Sequence, residues 1–240
     1  MTGGLSKRAK ALFVAYEDGV MMEVSSFFAR HGSTMSADSL LTGSERAWYA
    51  RRRATARTPY RALCICLDAR AVELFQTFLA MRADVEDAVK GELLDMASRL
   101  GLSMDVDVAD AMASDWLGGG YEDRLGRIFD RLSKSVLDAV RRGLVHGSGA
   151  YEGVSKAVAS ARKACARLLS TEANRAYNLC VWRMCSSNDV QRVRFSVSPN
   201  ERRCPVCSQM DGVEADLEEA YRLLPPFHPN CMCRIEPLVE

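Results

Sequence analysis

Apolar residues recur every three or four positions over most of the first 190 residues, which predicts long amphipathic helices. A first helix is predicted from Leu5 to about Arg30. The clearest run ends at Gly101 and predicts a helix of about thirty residues from near Ala71. Its apolar positions are Leu74, Phe78, Met81, Val85, Val89, Leu93 and Met96.

Two more helices are predicted in the second half of the chain. One carries Leu125, Ile128, Leu132, Val136 and Val140, and Gly143 is expected to end it. The other starts near Val154 and runs, with a possible interruption, to about Cys185. Between the first pair of helices and this second pair, an acidic connection (105–110) and three glycines (118–120) predict a subdomain joint.

Strand character is confined to one segment, Val190 to Val197, where Val193, Phe195 and Val197 alternate with polar residues. This strand leads directly into a group of cysteines. The predicted fold class is therefore mainly α with a small C-terminal zinc-bound β-hairpin module (α+β).

Composition supports a folded chain, because 48% of the 240 residues are hydrophobic. The net charge of +1 gives no overall reason to expect nucleic acid as a partner. No apolar run is long enough for a membrane span, and the N-terminus lacks the apolar segment of a signal peptide. We therefore expect a protein made in the cytoplasm with no membrane partner.

One segment, 44–61, is strongly basic, with a single acid among its charged residues. Its arginines are Arg46, Arg51, Arg52, Arg53, Arg57 and Arg61. They are candidates for contact with nucleic-acid phosphates or an acidic partner. The alternative is a solvated helix face.

Four of the nine cysteines lie close to a histidine near the C-terminus, whereas the other five lie in helical sequence and suit small hydrophobes. Clustering of this kind in a chain without a secretory signal favours metal binding over disulfides. The candidate ligands are Cys204, Cys207, His228, Cys231 and Cys233.

Cys204 and Cys207 have the spacing at which two thiolates reach one tetrahedral zinc ion, and the remaining candidates can complete the site. Five ligands compete for four places, and the sequence leaves the choice open. A redox Cys-x-x-Cys is the alternative, but it requires a helix start. Pro205 and the Asp211-Gly212 pair instead predict a zinc knuckle that continues into a hairpin.

A catalytic zinc would need an open position and a carboxylate base, for which Glu214, Glu218 and Glu219 are the candidates near in sequence. No motif ties any of them to the metal. The sequence therefore predicts a closed, structural zinc site and no catalytic residues.

The motif Arg203-Cys204-Pro-Val-Cys207-x3-Asp211-Gly212, followed by Pro226-Phe-His228-Pro-Asn-Cys231-Met-Cys233, resembles the C-terminal signature of phage Mu F-like minor head proteins, also called head morphogenesis proteins. The segment Thr171-Glu172-Ala-Asn-Arg175-Ala176 resembles that family's Thr-Glu-x-x-Arg-Ala helix. Glu172 and Arg175 also suit a simple intrahelical ion pair.

The resemblance extends from about residue 132 to 239. It divides the chain into residues 1–120, a helical N-terminal region with no recognised family, and residues 121–240, a Mu F-like domain with the strand and zinc module at 190–240. Met232 stands where the family usually has Arg, which puts any contact of that Arg in doubt, and Met210 and Ala215 also depart from the pattern.

The resemblance implies a minor capsid protein of a tailed phage or prophage, and not an enzyme. Its implied partners are the portal protein and capsid or scaffolding proteins, with packaged DNA as a further candidate. It would be present in the host cytoplasm during assembly and then inside the capsid. Two alternatives remain open: a zinc-containing nucleic-acid-binding protein, and a zinc-dependent nuclease or toxin-like enzyme.

Overall fold

The computed structural model describes residues 2–31, 59–113, 120–146, 148–197 and 204–239. Five helices account for most of this chain before residue 190. They are α1 (Thr2–His31), α2 (Pro59–Leu100), α3 (Val108–Ala113), α4 (Tyr121–His146) and α5 (Ala150–Ser187). In the described part of the chain, no helix has a stretch long and apolar enough to span a bilayer.

Helix α1 confirms the first predicted helix, but α2 begins twelve residues before the predicted start at Ala71. The buried series continues backwards from Ala71 through Leu67 to Leu63 at a spacing of four, so the same helix face begins two residues after the end of the basic segment. Pro59 occupies the first position of α2, where a missing N–H costs nothing.

The prediction that Gly143 ends α4 is wrong, because the helix continues to His146. Gly143 is buried against the start of α5, and a Cβ there would come within 2.4 Å of the Ala150 Cβ. The glycine therefore permits close packing of two helices. Helix α5 runs without the possible interruption, so residues 150–187 are one continuous element.

The acidic connection contains a short helix, α3. The Asp107 carboxylate accepts hydrogen bonds from the backbone N–H groups of Ala109 (2.8 Å) and Asp110 (3.2 Å). These bonds satisfy amide groups that have no partner within a first helical turn.

The C-terminal part consists of β1 (Arg192–Ser196), α6 (Pro205–Met210), β2 (Glu214–Asp216), α7 (Leu217–Arg222) and β3 (Arg234–Pro237). The strands form an antiparallel sheet in the order β2-β1-β3. Its buried face comes from alternate positions, with Val193 paired to Ala215 and Phe195 paired to Ile235. The prediction of a mainly helical chain with a small C-terminal sheet is confirmed.

The Asp211-Gly212 pair does not form the tight hairpin turn that the sequence predicts. Strands β1 and β2 are joined by a longer connection that contains α6. Asp211 (φ −64°, ψ 121°) and Gly212 (φ 77°) form a type II turn from α6 into β2, closed by a Val213 N–H bond to the Met210 carbonyl. The Cys-x-x-Cys segment therefore lies inside the β1–β2 connection.

By its contacts the chain divides into two compact units. One comprises Lys7–Leu79 and Leu125–Cys165, and its core includes Phe13, Phe78 and Phe129, whose rings lie 5.3 to 6.4 Å apart.

The other unit comprises Met1–Ser6, Ala80–Arg124 and Ala166–Glu240, and it contains the whole sheet. The helix residues buried in it include Leu93 on α2 and Met184 on α5. The sequence-based division at residue 120 remains a prediction about the family domain.

Candidate metal centre

The first half of the candidate metal centre is the start of α6. Cys204 is the N-cap residue, and Pro205 occupies the first helical position. The Cys204 Sγ accepts a hydrogen bond from the Cys207 N–H at 3.3 Å, which holds the Cys204 sulfur over the first turn of α6. The predicted knuckle is thus a short helix start, which is the setting expected for a redox Cys-x-x-Cys. The choice between metal binding and redox chemistry therefore depends on the residues around the two cysteines.

The second half is a turn at His228-Pro229-Asn230-Cys231. The Cys231 N–H donates to the His228 carbonyl at 3.0 Å, and Asn230 has a φ of 62°. Proline at the second position and a left-handed residue at the third define a type II turn. The turn brings His228 and Cys231 together, as the helix start does for Cys204 and Cys207.

His228 joins the two halves. Its Nε2 lies 3.2 Å from the Cys204 Sγ and 3.0 Å from the Cys207 Sγ, while its Nδ1 lies 2.9 Å from the Pro229 carbonyl oxygen. A carbonyl can only accept, so Nδ1 carries a proton while Nε2 faces the sulfurs. With its proton on Nδ1, a neutral imidazole can bind a metal through Nε2.

The remaining cysteines form a second group that shares Cys207. The sulfurs of Cys207, Cys231 and Cys233 all lie within 4.8 Å of one another, as do the ligand atoms of Cys204, Cys207 and His228. The distance from Cys207 Sγ to Cys231 Sγ is 3.9 Å. A tetrahedral zinc site with Zn–S bonds of about 2.3 Å places its sulfurs about 3.8 Å apart. This donor set fits a thiophilic metal ion.

The thiols have different pKa values before any metal binds. The N–H of Cys207 lowers the pKa of the Cys204 thiol, while burial raises the pKa of the Cys207 thiol and raises that of Cys233 to about 11. A metal must displace protons from the buried thiols, so its binding should strengthen as pH rises.

Among the described residues, no carboxylate belongs to either group of candidate ligands. Glu214 instead pairs with Arg194 at 2.7 Å and Arg192 at 3.1 Å on the outer face of the sheet, and Arg194 lowers its pKa. Glu218 lies in the first turn of α7 and is highly exposed, 4.0 Å from Arg222. Glu219 is in the same turn.

Sequence reasoning missed a row of polar residues on α5 that holds the ligand loop. Asn174 donates to the carbonyls of Cys231 and Cys233 at 3.0 Å each, and Asn178 donates to the Cys233 carbonyl at 3.1 Å. Thr171 accepts from the Asn230 N–H at 3.0 Å. The signal in the sequence is polar residues at helical spacing within a segment that is otherwise buried.

Glu172 and Arg175 do form the expected pair, at 3.1 Å, but it is part of a buried network. Arg124 on α4 lies 2.8 Å from Glu172, and Arg175 also donates to the Met112 carbonyl at the end of α3. Glu172 is 2% exposed and Arg175 is 5% exposed. The small stabilisation that a surface ion pair contributes therefore does not describe this pair, because burial raises the free-energy cost of removing either partner.

The arginine segment lies mostly outside the described residues, including Arg46, Arg51, Arg52, Arg53 and Arg57. Arg61 is described and lies in the first turn of α2, partly buried. Phosphate or partner contact by these arginines stays a prediction. Of the cysteines in the helices, Cys64, Cys165, Cys180 and Cys185 are buried and Cys66 is partly buried.

Residues 134–236 match the family model described as Phage Mu protein F like protein. This region of the chain is therefore similar to Mu F-like proteins. The match confirms the resemblance noted from the sequence, and it covers α5, β1, β2, all five candidate ligands and β3 up to Glu236. No curated protein and no solved structure matches the chain.

Proposed function

We propose that this chain is a minor capsid protein of a tailed phage or prophage that acts with the portal during procapsid assembly. The match of residues 134–236 to the Mu F-like family carries the proposal. The chain would be made in the host cytoplasm and retained inside the capsid, with capsid or scaffolding proteins as further partners. A role in DNA packaging or ejection follows from that position.

Within this proposal, the C-terminal cluster binds a structural zinc ion through Cys204, Cys207, His228 and Cys231. The two turns present their ligands in pairs, and the Cys207–Cys231 distance of 3.9 Å matches a tetrahedral site. Cys233 lies two residues beyond the second turn, whereas His228 and Cys231 are its first and last residues. We therefore assign Cys233 as the cysteine that does not bind.

A closed structural site agrees with the surroundings of the cluster. Four side chains that bind zinc fill a tetrahedral shell, and Glu214, one of the candidate bases, is engaged by two arginines. This arrangement favours a scaffold over the zinc-dependent nuclease or toxin-like enzyme. It also favours metal binding over the redox use of the helix start.

The experiment is to induce or infect a host that carries the gene with a tagged copy, purify procapsids and virions, and identify the tagged chain and its crosslinked partners by mass spectrometry. We expect the chain in both particles, crosslinked to the portal. Absence from both particles would contradict the proposal. Crosslinks to DNA that disappear when Arg51, Arg52 and Arg53 are changed to Ala would favour the nucleic-acid-binding alternative.

A further inference from the structure

We infer that Asn174 and Asn178, together with Thr171, are positioning residues that hold half of the zinc site in its binding geometry before the metal arrives. This inference rests on the proposed zinc centre. It concerns the three α5 side chains, called here the α5 clamp, and not the metal ligands themselves.

The α5 clamp bonds to the backbone of the ligand Cys231 and of two nearby residues, Asn230 and Cys233. Its side chains occupy positions i, i+3 and i+7 of one helix, so they share one face. That face supplies four hydrogen bonds, of 3.0 to 3.1 Å, to residues 230, 231 and 233. Asn178 also accepts from the Ile235 N–H at 2.8 Å, which secures the start of β3.

Asparagine is an unfavourable choice at these positions unless it serves such a purpose. Its side chain competes with helical hydrogen bonds, and burial of an amide is costly without partners. Asn174 is 1% exposed and Asn178 is 0% exposed, in a helix whose neighbouring buried positions are Ala173, Ala176 and Tyr177. The amides therefore appear where helical periodicity alone would place an apolar residue.

The α5 clamp should increase zinc affinity because less of the ligand loop has to become ordered when zinc binds. A loop that carries two ligands loses conformational freedom when it binds a metal, and this loss of entropy opposes binding. Helix α5 imposes that order through bonds to the carbonyls of Cys231 and Cys233. With these bonds removed, zinc binding must itself order the loop.

The test compares zinc affinities of full-length variants by competition with a chromophoric chelator. We expect Asn174→Ala to weaken zinc binding by about 10- to 100-fold, the range seen for residues that orient metal ligands. Thr171→Val should weaken it less, in the same direction. The control is Asn188→Ala, which removes an asparagine bonded to the backbone of Ser103, away from the ligand loop. This control should keep the wild-type affinity even if it unfolds more easily.

A second measurement separates positioning from ligation. At saturating Co²⁺, Asn174→Ala should show the same thiolate charge-transfer spectrum as the wild type, because the ligand set is unchanged. Wild-type zinc affinity in both Asn174→Ala and Thr171→Val would overturn the inference while leaving the zinc centre intact. If Asn174→Ala does not fold, the partly exposed Thr171→Val decides by the same criterion. Failure of the wild-type chain to bind zinc would overturn both.

Discussion

At the scale of single residues, the choice among five ligands depends on the turns that carry them. His228 and Cys231 are brought together by one type II turn, whose left-handed position is occupied by Asn230. Cys233 lies beyond that turn, next to β3. This position outside the turn is the reason for assigning Cys233 as the cysteine that does not bind.

The ligand assignment predicts different outcomes for two similar substitutions. Cys231→Ser should remove a ligand and release zinc on dialysis against a moderate chelator. Cys233→Ser should retain a single zinc equivalent, as the wild type does. Zinc content measured by inductively coupled plasma mass spectrometry, with protein from amino-acid analysis, checks both. Zinc retained by Cys231→Ser and lost by Cys233→Ser would reverse the assignment.

At the scale of elements, the effect of a glycine on stability depends on whether it packs against a neighbouring helix or has open space beside it. Gly143 and Gly126 both lie within α4. A Cβ at Gly143 would meet the Ala150 Cβ at 2.4 Å and its Cα at 3.1 Å, whereas a Cβ at Gly126 would have no atom within 4 Å.

The same substitution at these two positions should change stability in opposite directions. Gly143→Ala should lower the free energy of unfolding by about 1–2 kcal/mol, because the steric cost exceeds the gain in helix propensity. Gly126→Ala should raise it by about 0.5–1 kcal/mol, since only the propensity gain applies. Urea unfolding followed by circular dichroism measures both. A stabilised Gly143→Ala variant would show that the α4–α5 contact is looser than described.

At the scale of the whole molecule, buried charges join segments that are distant in sequence. Glu172 on α5 lies between Arg124 and Arg175, and Arg175 reaches the last turn of α3 through the Met112 carbonyl. All of these residues belong to one compact unit. The network fixes the start of α4 and the end of α3 against α5.

Loss of the central carboxylate should therefore be severe. Glu172→Gln removes the buried carboxylate that pairs with both Arg124 and Arg175, and breaking a buried pair in this way costs about 3–5 kcal/mol. The control on the same helix is Glu152→Gln, which removes an exposed partner of Lys156 and should have little effect. Urea unfolding at constant zinc measures the difference. Equal stability of the two variants would show that the network is not a significant source of stability.

Local sequence pattern was enough to predict several features of this protein. Periodicity of three and four identified the four long helices, and alternation identified β1, because each pattern shows which face of one element is buried. The spacing of Cys204 and Cys207, with His228 and two further cysteines, identified the candidate ligands without any knowledge of the fold. These inferences needed only neighbours in the chain.

Tertiary structure decided what depends on distant contacts. Gly143 resembles a helix end until Ala150 is placed against it, and Asn174 resembles an ordinary helix residue until the Cys231 carbonyl is placed above it. Glu172 changes from a surface partner into a buried one because α4 covers it. The physical reason is the same in each case. Burial and hydrogen-bond partners come from segments that are distant in sequence, and the local sequence pattern does not show which segment will pack there.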